Sequence, residues 1–257
     1  MFHLKKWYLD CTTQDGHAFI AYWATVNWGA ITLSYASLIH SAPDSQNVET
    51  STTFRPGPAP KISGTQLAWS CPHLNLQGTW SKLCPGAERT LLEKESGTLK
   101  WSCLMPRSQA NLTIRSKPYH GLGYVEHLEM TIAPWLLPIR ELRWGQWQSP
   151  STSLAWIDWR GTHPLSLILR DGLEVAGTIS DNQISLNTGE VLSLDTSRII
   201  RDGELGATVL RAIPGVSNLL PPALLRTHEK KWLSRGVLSP SNTPGHSIHE
   251  CISFGLP

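Results

Sequence analysis

The chain has 257 residues, with 22 lysines and arginines against 20 aspartates and glutamates, and it contains 12 tryptophans. This length suits one large all-β domain or two smaller domains. The net charge of +2 provides no basic field for nucleic acid, and no apolar run reaches the ~18–20 residues of a membrane-spanning helix. The opening residues lack the apolar segment and cleavage site of a secretory signal, so a cytoplasmic location is expected.

The five cysteines predict reduced, mostly buried thiols. Their number is odd, their spacing is wide, and no C-x-x-C motif occurs. This pattern argues against both a disulfide framework and a structural zinc site.

The first forty residues predict three strands of an antiparallel meander. Residues 4–10 form the first, Asp15-Gly16 supplies a hairpin turn, and residues 17–28 carry aromatic side chains suited to a pleated surface. Residues 31–40 alternate with the period of two that is typical of a half-buried strand. The Ser-, Pro- and Gly-rich residues 41–64 then predict a long mobile connection, at a sheet edge or as a lid.

Further short strands are predicted over residues 65–114. The segments TQLAWSC, LNLQGTW and TLKWSCL have strand composition and are separated by turn signals, whereas ERTLLEKE fits either a helical turn or a strand. Because Trp69, Trp80 and Trp101 recur at strand positions, one sheet face is predicted to be lined with indole.

A domain boundary is predicted at QSPSTS, residues 148–153, and a second set of strands follows it. Turn signals recur about every 8–12 residues, as in a β-sandwich or β-barrel. Pro221-Pro222 predicts a short helix over residues 223–229. The closing GHSIHECISF predicts a last strand that carries His246 and Glu250 on one side and His249 on the other.

The most informative stretch is HGLGYVEHLEMTIAPWLLPIRELRWGQW, residues 120–147. As a strand, its first part places Tyr124 and Glu126 on one face and His127 and Glu129 on the other. If Glu126 faces an apolar interior, burial favours its protonated form, and such a carboxyl group can donate or accept a proton in catalysis. The alternative is a structural ion pair of Glu126 with an arginine such as Arg140 or Arg143, and both interpretations stay open.

Other motifs in the chain are weaker. His120, His127 and Glu129 form a loose set of metal ligands, for which chance proximity is the better interpretation, so no metal is predicted. No G-x-S-x-G, G-x-G-x-x-G, Walker A or H-E-x-x-H pattern occurs, so no nucleotide or other cofactor is predicted. Trp135, Trp144 and Trp147 could stack against a flat or polyene-like ligand or fill a core.

The central stretch resembles a known family. The run Gly123-Tyr124-x-Glu126-His127, followed by Pro138 and by Trp144-Gly145-Gln146-Trp147, is similar to the central motif of the carotenoid hydratase, AttH and tocopherol cyclase-like group, to which Diels–Alderases are related. The opening KKWYLDC and AYWATVNWG and the closing GHSIHE resemble the first and last strands of that group.

This resemblance implies an all-β fold of two lipocalin-like antiparallel β-barrels packed together, with short helical segments near the C-terminus. The domains are expected at residues 1–148 and 149–257. The pocket would lie in or between the barrels and hold a lipophilic small molecule. The chemistry implied is hydration, cyclisation or a pericyclic reaction such as a Diels–Alder cyclisation in natural-product biosynthesis, without a redox cofactor.

The resemblance also assigns the site residues. Glu126 would be the proton donor or acceptor, His127 its partner, and Tyr124 a donor to developing negative charge. The predicted function is a cofactor-independent cyclase, isomerase or hydratase; a non-catalytic carrier and a structural interaction protein are the alternatives. The predicted substrate-binding residues are Trp144, Trp147, Trp135, Tyr22, Trp23 and Asp158, the last chosen for its position between Trp156 and Trp159.

Overall fold

The computed structural model describes residues 2–43, 45, 47–196, 198–205, 207 and 225–254. The chain divides into two compact units. One consists of Met1–Ala133 with Asp171–Leu173, and the other of Pro134–Arg170 with Glu174–Pro257. The first unit thus ends at Ala133, apart from the short segment Asp171–Leu173. The predicted boundary after residue 148 coincides with a hairpin turn of the second unit. In this turn the Ser149 hydroxyl oxygen accepts the backbone N–H of Thr152 at 3.0 Å.

The first barrel is a ten-stranded antiparallel sheet within the described residues, accompanied by a short 3-10 turn at Pro72–Leu74. The strand order is β4-β3-β2-β1-β10-β9-β7-β6-β5, with β8 paired to β9. The strands are β1 (Phe2–Thr13), β2 (Ala18–Trp28), β3 (Ile31–Ser41), β4 (Val48–Thr53), β5 (Lys61–Ser63), β6 (Gln66–Cys71), β7 (Leu76–Lys82), β8 (Ala87–Lys94), β9 (Gly97–Ile114) and β10 (Lys117–Met130).

The second barrel has the same number of strands among the described residues, and a 3-10 turn at Pro134–Leu136 precedes it. The strands are β11 (Ile139–Gln148), β12 (Ser153–Gly161), β13 (Leu165–Arg170), β14 (Leu173–Val175), β15 (Gly177–Ile179), β16 (Gln183–Leu186), β17 (Val191–Leu194), β18 (Arg198–Glu204), β19 (His228–Ser239) and β20 (Thr243–Ser253).

The two sheets have one topology, repeated along the chain. The second order is β14-β13-β12-β11-β20-β19-β17-β16-β15, with β18 paired to β19, so each strand matches the one ten places earlier. In both sheets the two edge strands, β4 with β5 and β14 with β15, are consecutive in sequence. A short connection between the edges requires each sheet to curl round, as in a barrel.

The interior of each barrel is filled by apolar side chains from alternate strand positions. In the first barrel, Trp80 is fully buried among residues that include Leu9, Met105 and Val125. In the second, Trp147 is the fully buried centre of a cluster that contains Trp156. The large indole at each centre is accommodated by glycines. A Cβ at Gly123 would lie 2.8 Å from Trp80, and one at Gly245 would lie 2.6 Å from Trp147.

Most of the predicted strands are confirmed. The three opening strands are β1 to β3, with a turn at Gly16, where φ is +88°, and ERTLLEKE forms strand β8. The 41–64 connection contains the edge strands β4 and β5. Of the helix predicted over residues 223–229, residues 223 and 224 lie outside the described residues, Leu225 is helical, and His228 already belongs to β19.

The prediction that three tryptophans share one sheet face is wrong for Trp101. Trp69 and Trp80 lie in the first core, but Trp101 lies on the opposite face of the sheet. The reason is the alternation of β9. Ala110 pairs with Trp80 and faces the core, and Trp101 is nine residues from Ala110, an odd number. The two register shifts of β9, opposite residues 123–125 and 125–126, each change the face and together restore the original alternation.

No helix among the described residues combines the length and apolarity that crossing a lipid bilayer demands.

Candidate functional site

The predicted catalytic pair, Tyr124 and Glu126, lies in a closed polar cluster of the first unit. Tyr124 is fully buried and Glu126 is 7% exposed. The Tyr124 hydroxyl donates to Glu126 Oε2 at 2.8 Å, and the Trp101 indole Nε1 donates to the same oxygen at 2.7 Å. Asp10 accepts the backbone N–H of Tyr124 at 2.7 Å. These charge-assisted bonds hold the carboxylate in a fixed position.

This cluster occupies the face of the sheet opposite the barrel interior. Val125, between the two polar residues, belongs to the core of the first barrel. On this face, four neighbouring strands each supply one residue of a row: Tyr22 on β2, Tyr8 on β1, Glu126 on β10 and Cys103 on β9. The Tyr8 ring contacts Tyr22 edge-on at 5.4 Å. Burial raises the pKa of the Tyr124 hydroxyl and of the Cys103 thiol, so both groups are neutral near pH 7.

His127 lies on the other face, inside the first barrel. Its ring centroid is 4.8 Å from that of Trp7, which packs against the core. Burial lowers the pKa of His127, so the neutral form is favoured. His127 and the Tyr124–Glu126 pair are therefore divided by the sheet, as the alternation of a strand requires.

The three loosely predicted metal ligands have separate partners. His120 Nδ1 is 2.7 Å from Asn111, and Glu129 Oε1 is 2.7 Å from His3. The hydrogen bond with His3 lowers the pKa of Glu129. Throughout the described ranges, no three His, Cys, Asp or Glu side chains come together in a manner suited to a metal ion.

A large cleft opens into the second barrel, with a volume of about 530 Å³. One wall of the cleft is formed by strands β12, β11, β20 and β19, whose paired residues form rows across the sheet. The rim row is Asp158, Arg143, Cys251 and Lys230, of which the last three line the cleft. The middle row is Trp156, Gly145, His249 and Trp232, of which the two tryptophans and the histidine line the cleft. The next row, Leu154, Trp147, Ser247 and Ser234, is buried and is not part of the lining. Outside these four strands, the lining consists of Ile184, Leu194 and Ile199 together with the polar residues Ser180, Asp181, Asn182 and Thr196.

His249 is the buried ionisable group of the middle row. It is 4% exposed, and its ring stacks on Trp232 with centroids 5.1 Å apart and an interplanar angle of 12°. Its Nε2 is 2.9 Å from the Oγ of Ser234. Burial lowers the pKa of His249 to about 4, although Asp195 acts in the opposite direction. The imidazole is therefore neutral near pH 7 and can exchange hydrogen bonds with a ligand.

Gly145 determines how the middle row packs. A Cβ at this position would lie 2.2 Å from Cζ2 of Trp156 and 2.7 Å from the Cβ of His249. The Trp156 indole therefore lies against the sheet over Gly145. The corresponding row of the first barrel is Trp23, Trp7 and His127, in which Trp7 stands where the second barrel has Gly145. In the second barrel the space over this position is thus occupied by the indole of Trp156 on the neighbouring strand.

The rim of the cleft carries paired charges. Arg143 Nε donates to Glu141 at 2.8 Å, and Arg143 also contacts Asp181, in the turn between β15 and β16. Lys230 Nζ lies 5.5 Å from the centroid of the Trp232 ring and 3.7 Å from Asp202. The rest of the lining combines aromatic and aliphatic residues with polar ones such as Ser180, Asn182 and Thr196, which suits a ligand that has both apolar and polar surface.

The structure does not bring the predicted substrate-binding residues together in one site. Trp144 lines the cleft, and Trp147 is buried in the core with its indole N–H donating to the Gly236 carbonyl at 3.3 Å. Trp23 lines a separate pocket of about 180 Å³ in the first unit. Tyr22, Trp135 and Asp158 line neither the cleft nor this pocket. Tyr22 lies beside Tyr8, and Trp135 is half-buried in the turn at residues 134–136. Asp158 forms an ion pair with Arg160 at 3.1 Å.

The residues that shape the cleft were mostly missed from the sequence. Trp156, Trp232 and His249 were not among the predicted site residues, although the alternation of the last strand had separated His249 from Glu250. A signal was available in the Trp-Gly pair at 144–145. A glycine inside a strand indicates the close approach of another group, and here that group is Trp156.

No protein-family model and no curated protein matches this sequence. Solved structures of other proteins do share its fold over nearly the whole chain. CghA superimposes with a TM-score of 0.58 at 11% identity, over 99% of this chain and 88% of that one. Kievitone hydratase from Nectria haematococca gives 0.58 at 10% identity, over 98% and 88%.

A protein described as an AttH, from Nitrosomonas europaea, gives a TM-score of 0.55 at 8% identity, over 97% of this chain and 91% of that one. At these identities the likeness establishes the fold. It agrees with the two-barrel architecture implied by the resemblance of residues 123–147, and it covers nearly the whole chain.

Proposed function

We propose that this chain is a cofactor-independent enzyme that cyclises, isomerises or hydrates a lipophilic small molecule in the cleft of the second barrel. The observation that carries this proposal is the cleft itself, in which Trp156 and Trp232 flank a buried, neutral His249. The fold is also that of kievitone hydratase, and of CghA, which has been solved with Sch210972.

The chemistry follows from the position of His249. Because Nε2 is engaged with Ser234, Nδ1 is the nitrogen that would hydrogen-bond a substrate carbonyl or hydroxyl, or accept its proton. The indoles on either side would hold an apolar substrate in a reactive conformation and exclude water. Positioning of this kind supports ring closure even where no proton is transferred.

The Tyr124–Glu126 pair is the competing location for the chemistry. Its carboxylate already accepts hydrogen bonds from Tyr124 and Trp101, which suits a structural role in the first unit. Neither residue is among those that line the cleft. A catalytic role for Glu126 would require substrate to reach a carboxylate that is 7% exposed and already accepts these two hydrogen bonds, and this is a testable difference between the two locations.

The experiment is to incubate the protein with a panel of conjugated lipophilic compounds and to search for products by mass spectrometry. We expect His249→Asn to lower kcat/KM of the reaction found by roughly 10²-fold or more, the usual contribution of a general acid or base. His163→Asn, at an exposed histidine, is the matched control. Loss of turnover in Glu126→Gln with full activity in His249→Asn would move the site to the first unit.

A non-catalytic carrier is the second candidate. The low pKa of His249, about 4, makes it a weak base, which favours ligand binding over proton transfer. A carrier would show saturable quenching of tryptophan fluorescence by lipophilic compounds and return every compound unchanged. Detection of any stoichiometric or catalytic product would exclude this alternative.

A further inference from the structure

The first unit contains a cavity of its own, and a proline-rich segment forms one side of it. The segment, residues 54–60, has the sequence FRPGPAP and joins β4 to β5. Two indoles hold it in place. Nε1 of Trp23 donates to the Gly57 carbonyl at 3.1 Å, and Nε1 of Trp69 donates to the Pro58 carbonyl at 3.0 Å. Both indoles line the cavity, which has a volume of about 180 Å³.

Most residues that line this cavity are apolar. Trp69 and Cys71 belong to the core of the first barrel, and Trp23 packs against that core. Burial raises the pKa of the Cys71 thiol, so this group is neutral near pH 7. The lining also contains three neutral residues with hydroxyl groups: Ser34, Tyr35 and Ser70. Because the volume is below the ~300–1,000 Å³ of sites for drug-sized ligands, the cavity suits a ligand with a single aromatic ring.

The charged groups of the lining have one sign. Arg55 and His73 are its basic residues, both are exposed, and the lining includes neither aspartate nor glutamate. The backbone N–H of Arg55 donates to Oγ1 of Thr53 at 3.2 Å, but its guanidinium forms no hydrogen bond or ion pair with any residue that the structure describes. Arg143 and Arg170, by contrast, are paired with carboxylates. Since a guanidinium stays protonated, the cavity has a permanent positive charge.

We propose that this cavity is a binding site for a small aromatic carboxylate. The carboxylate accepts two hydrogen bonds from Arg55, whose planar fork of N–H groups matches the two oxygens. The ring lies among Trp23, Trp69 and the prolines, where aromatic and apolar contacts stabilise it. A phosphate monoester carries about two negative charges near pH 7, more than one guanidinium balances. The inference goes beyond the proposed function, because none of these residues lines the cleft of the second barrel.

The test measures the binding of benzoate to the full chain by isothermal titration calorimetry near pH 7. Arg55→Gln removes the charge, and Arg140→Gln, at an exposed arginine outside the lining, is its matched control. Trp23→Phe removes the indole, and Trp28→Phe, on the same strand but outside the lining, is the control for that change. Benzamide, cyclohexanecarboxylate and phenyl phosphate are titrated in the same way. Thermal unfolding of each variant shows whether it is folded.

We expect benzoate to bind the wild type with a dissociation constant of about 1 mM or less. Arg55→Gln should weaken benzoate by about 10-fold or more, because it removes hydrogen bonds between two charged groups, and it should leave benzamide unaffected. Cyclohexanecarboxylate should bind about 3-fold more weakly than benzoate, since it lacks the aromatic ring, and Trp23→Phe should weaken benzoate to a similar extent. Both control variants should match the wild type.

Several results would overturn the proposal. One is the absence of benzoate binding to the wild type at concentrations up to about 10 mM. Another is equal affinity of Arg55→Gln and Arg140→Gln for benzoate. Cyclohexanecarboxylate that binds as tightly as benzoate would refute the aromatic ligand, and tighter binding of phenyl phosphate would refute the carboxylate. If Trp23→Phe does not fold, the comparison of Arg55→Gln with Arg140→Gln decides the proposal, because both substitutions are at exposed positions.

Discussion

Replacement of Glu229 by glutamine should destabilise the second barrel by about 3 kcal/mol near pH 7. Glu229 is 4% exposed and lies between two cations. Its Oε1 is 3.1 Å from Nζ of Lys231, which is itself 2% exposed, and its Oε2 is 3.2 Å from Nη1 of Arg201. Lys231 also contacts Glu250 at 2.5 Å. The substitution keeps the size of the side chain and removes only its charge.

The magnitude follows from the protonation equilibrium of this carboxyl group. Burial alone would raise the pKa of Glu229, but Lys231 and Arg201 outweigh it and lower the pKa from 4.5 to about 2. Such a lowering corresponds to about 3 kcal/mol, because a change of one in pKa is worth ~1.4 kcal/mol. Removing one partner of a buried ion pair lowers the free energy of unfolding of other proteins by roughly 3–5 kcal/mol, which agrees with this value.

The sign of the pH dependence is fixed by the lowered pKa. The stabilisation is fully present above about pH 4.5 and is lost as the pH falls toward 2, because the folded state must then bind a proton that the unfolded state already holds. Urea unfolding followed by circular dichroism at pH 7 and at pH 3 measures the effect. Glu229→Gln should lower the free energy of unfolding at pH 7 and flatten its decline in acid.

The matched control is Glu49→Gln, which breaks an exposed pair. Glu49 lies 3.3 Å from Arg115, and both side chains are more than half exposed, so the free energy of unfolding should change by less than about 1 kcal/mol. The reasoning about Glu229 would be refuted by a Glu229→Gln variant as stable as the wild type at pH 7. It would also be refuted by an undiminished decline in stability between pH 5 and pH 3.

Three further expectations concern other parts of the molecule. Tyr124→Phe should lower the free energy of unfolding, measured with denaturant, by about 1–3 kcal/mol, because it removes a buried hydrogen-bond donor to Glu126. The kcat of the reaction in the cleft should not change. If His249 is the catalytic base, kcat/KM should stay constant from pH 8 to about 5 and fall below about 4, where the imidazole becomes protonated. Gly123→Ala should lower the melting temperature by several degrees, because its Cβ would lie 2.8 Å from Trp80 in the core.

The strands were predictable from the sequence because the signals that mark them are local. Alternation and turn residues identify β1 to β3 without reference to any distant part of the chain. The predicted sharing of one face by Tyr124 and Glu126 also follows from strand geometry. What alternation cannot supply is which face becomes the interior, and it fails locally in β9. Met105 lies between the two irregularities of this strand and is in the core together with Ala110, although a spacing of five residues predicts opposite faces.

The cleft was harder to predict because its middle row is assembled from four separate strands. Gly145 meets Trp156 across a hairpin, but it meets His249 only through the pairing of β11 with β20. No periodicity within residues 120–147 reports that pairing. The central stretch therefore drew attention to Trp144 and Trp147, whereas the intervening Gly145 determines how the neighbouring indole packs.

The pairing of each unit's first strand with its last has a consequence for biosynthesis. Leu9 of β1 pairs with Val125 of β10, a separation of roughly 116 residues. At about 5–20 residues per second, a ribosome needs roughly 6–23 s to synthesise that length. During this interval one edge of β1 lacks its partner strand, and unpaired edges promote association with other chains. The nascent first barrel is therefore most exposed to aggregation, and most in need of a chaperone, until residue 130 leaves the exit tunnel.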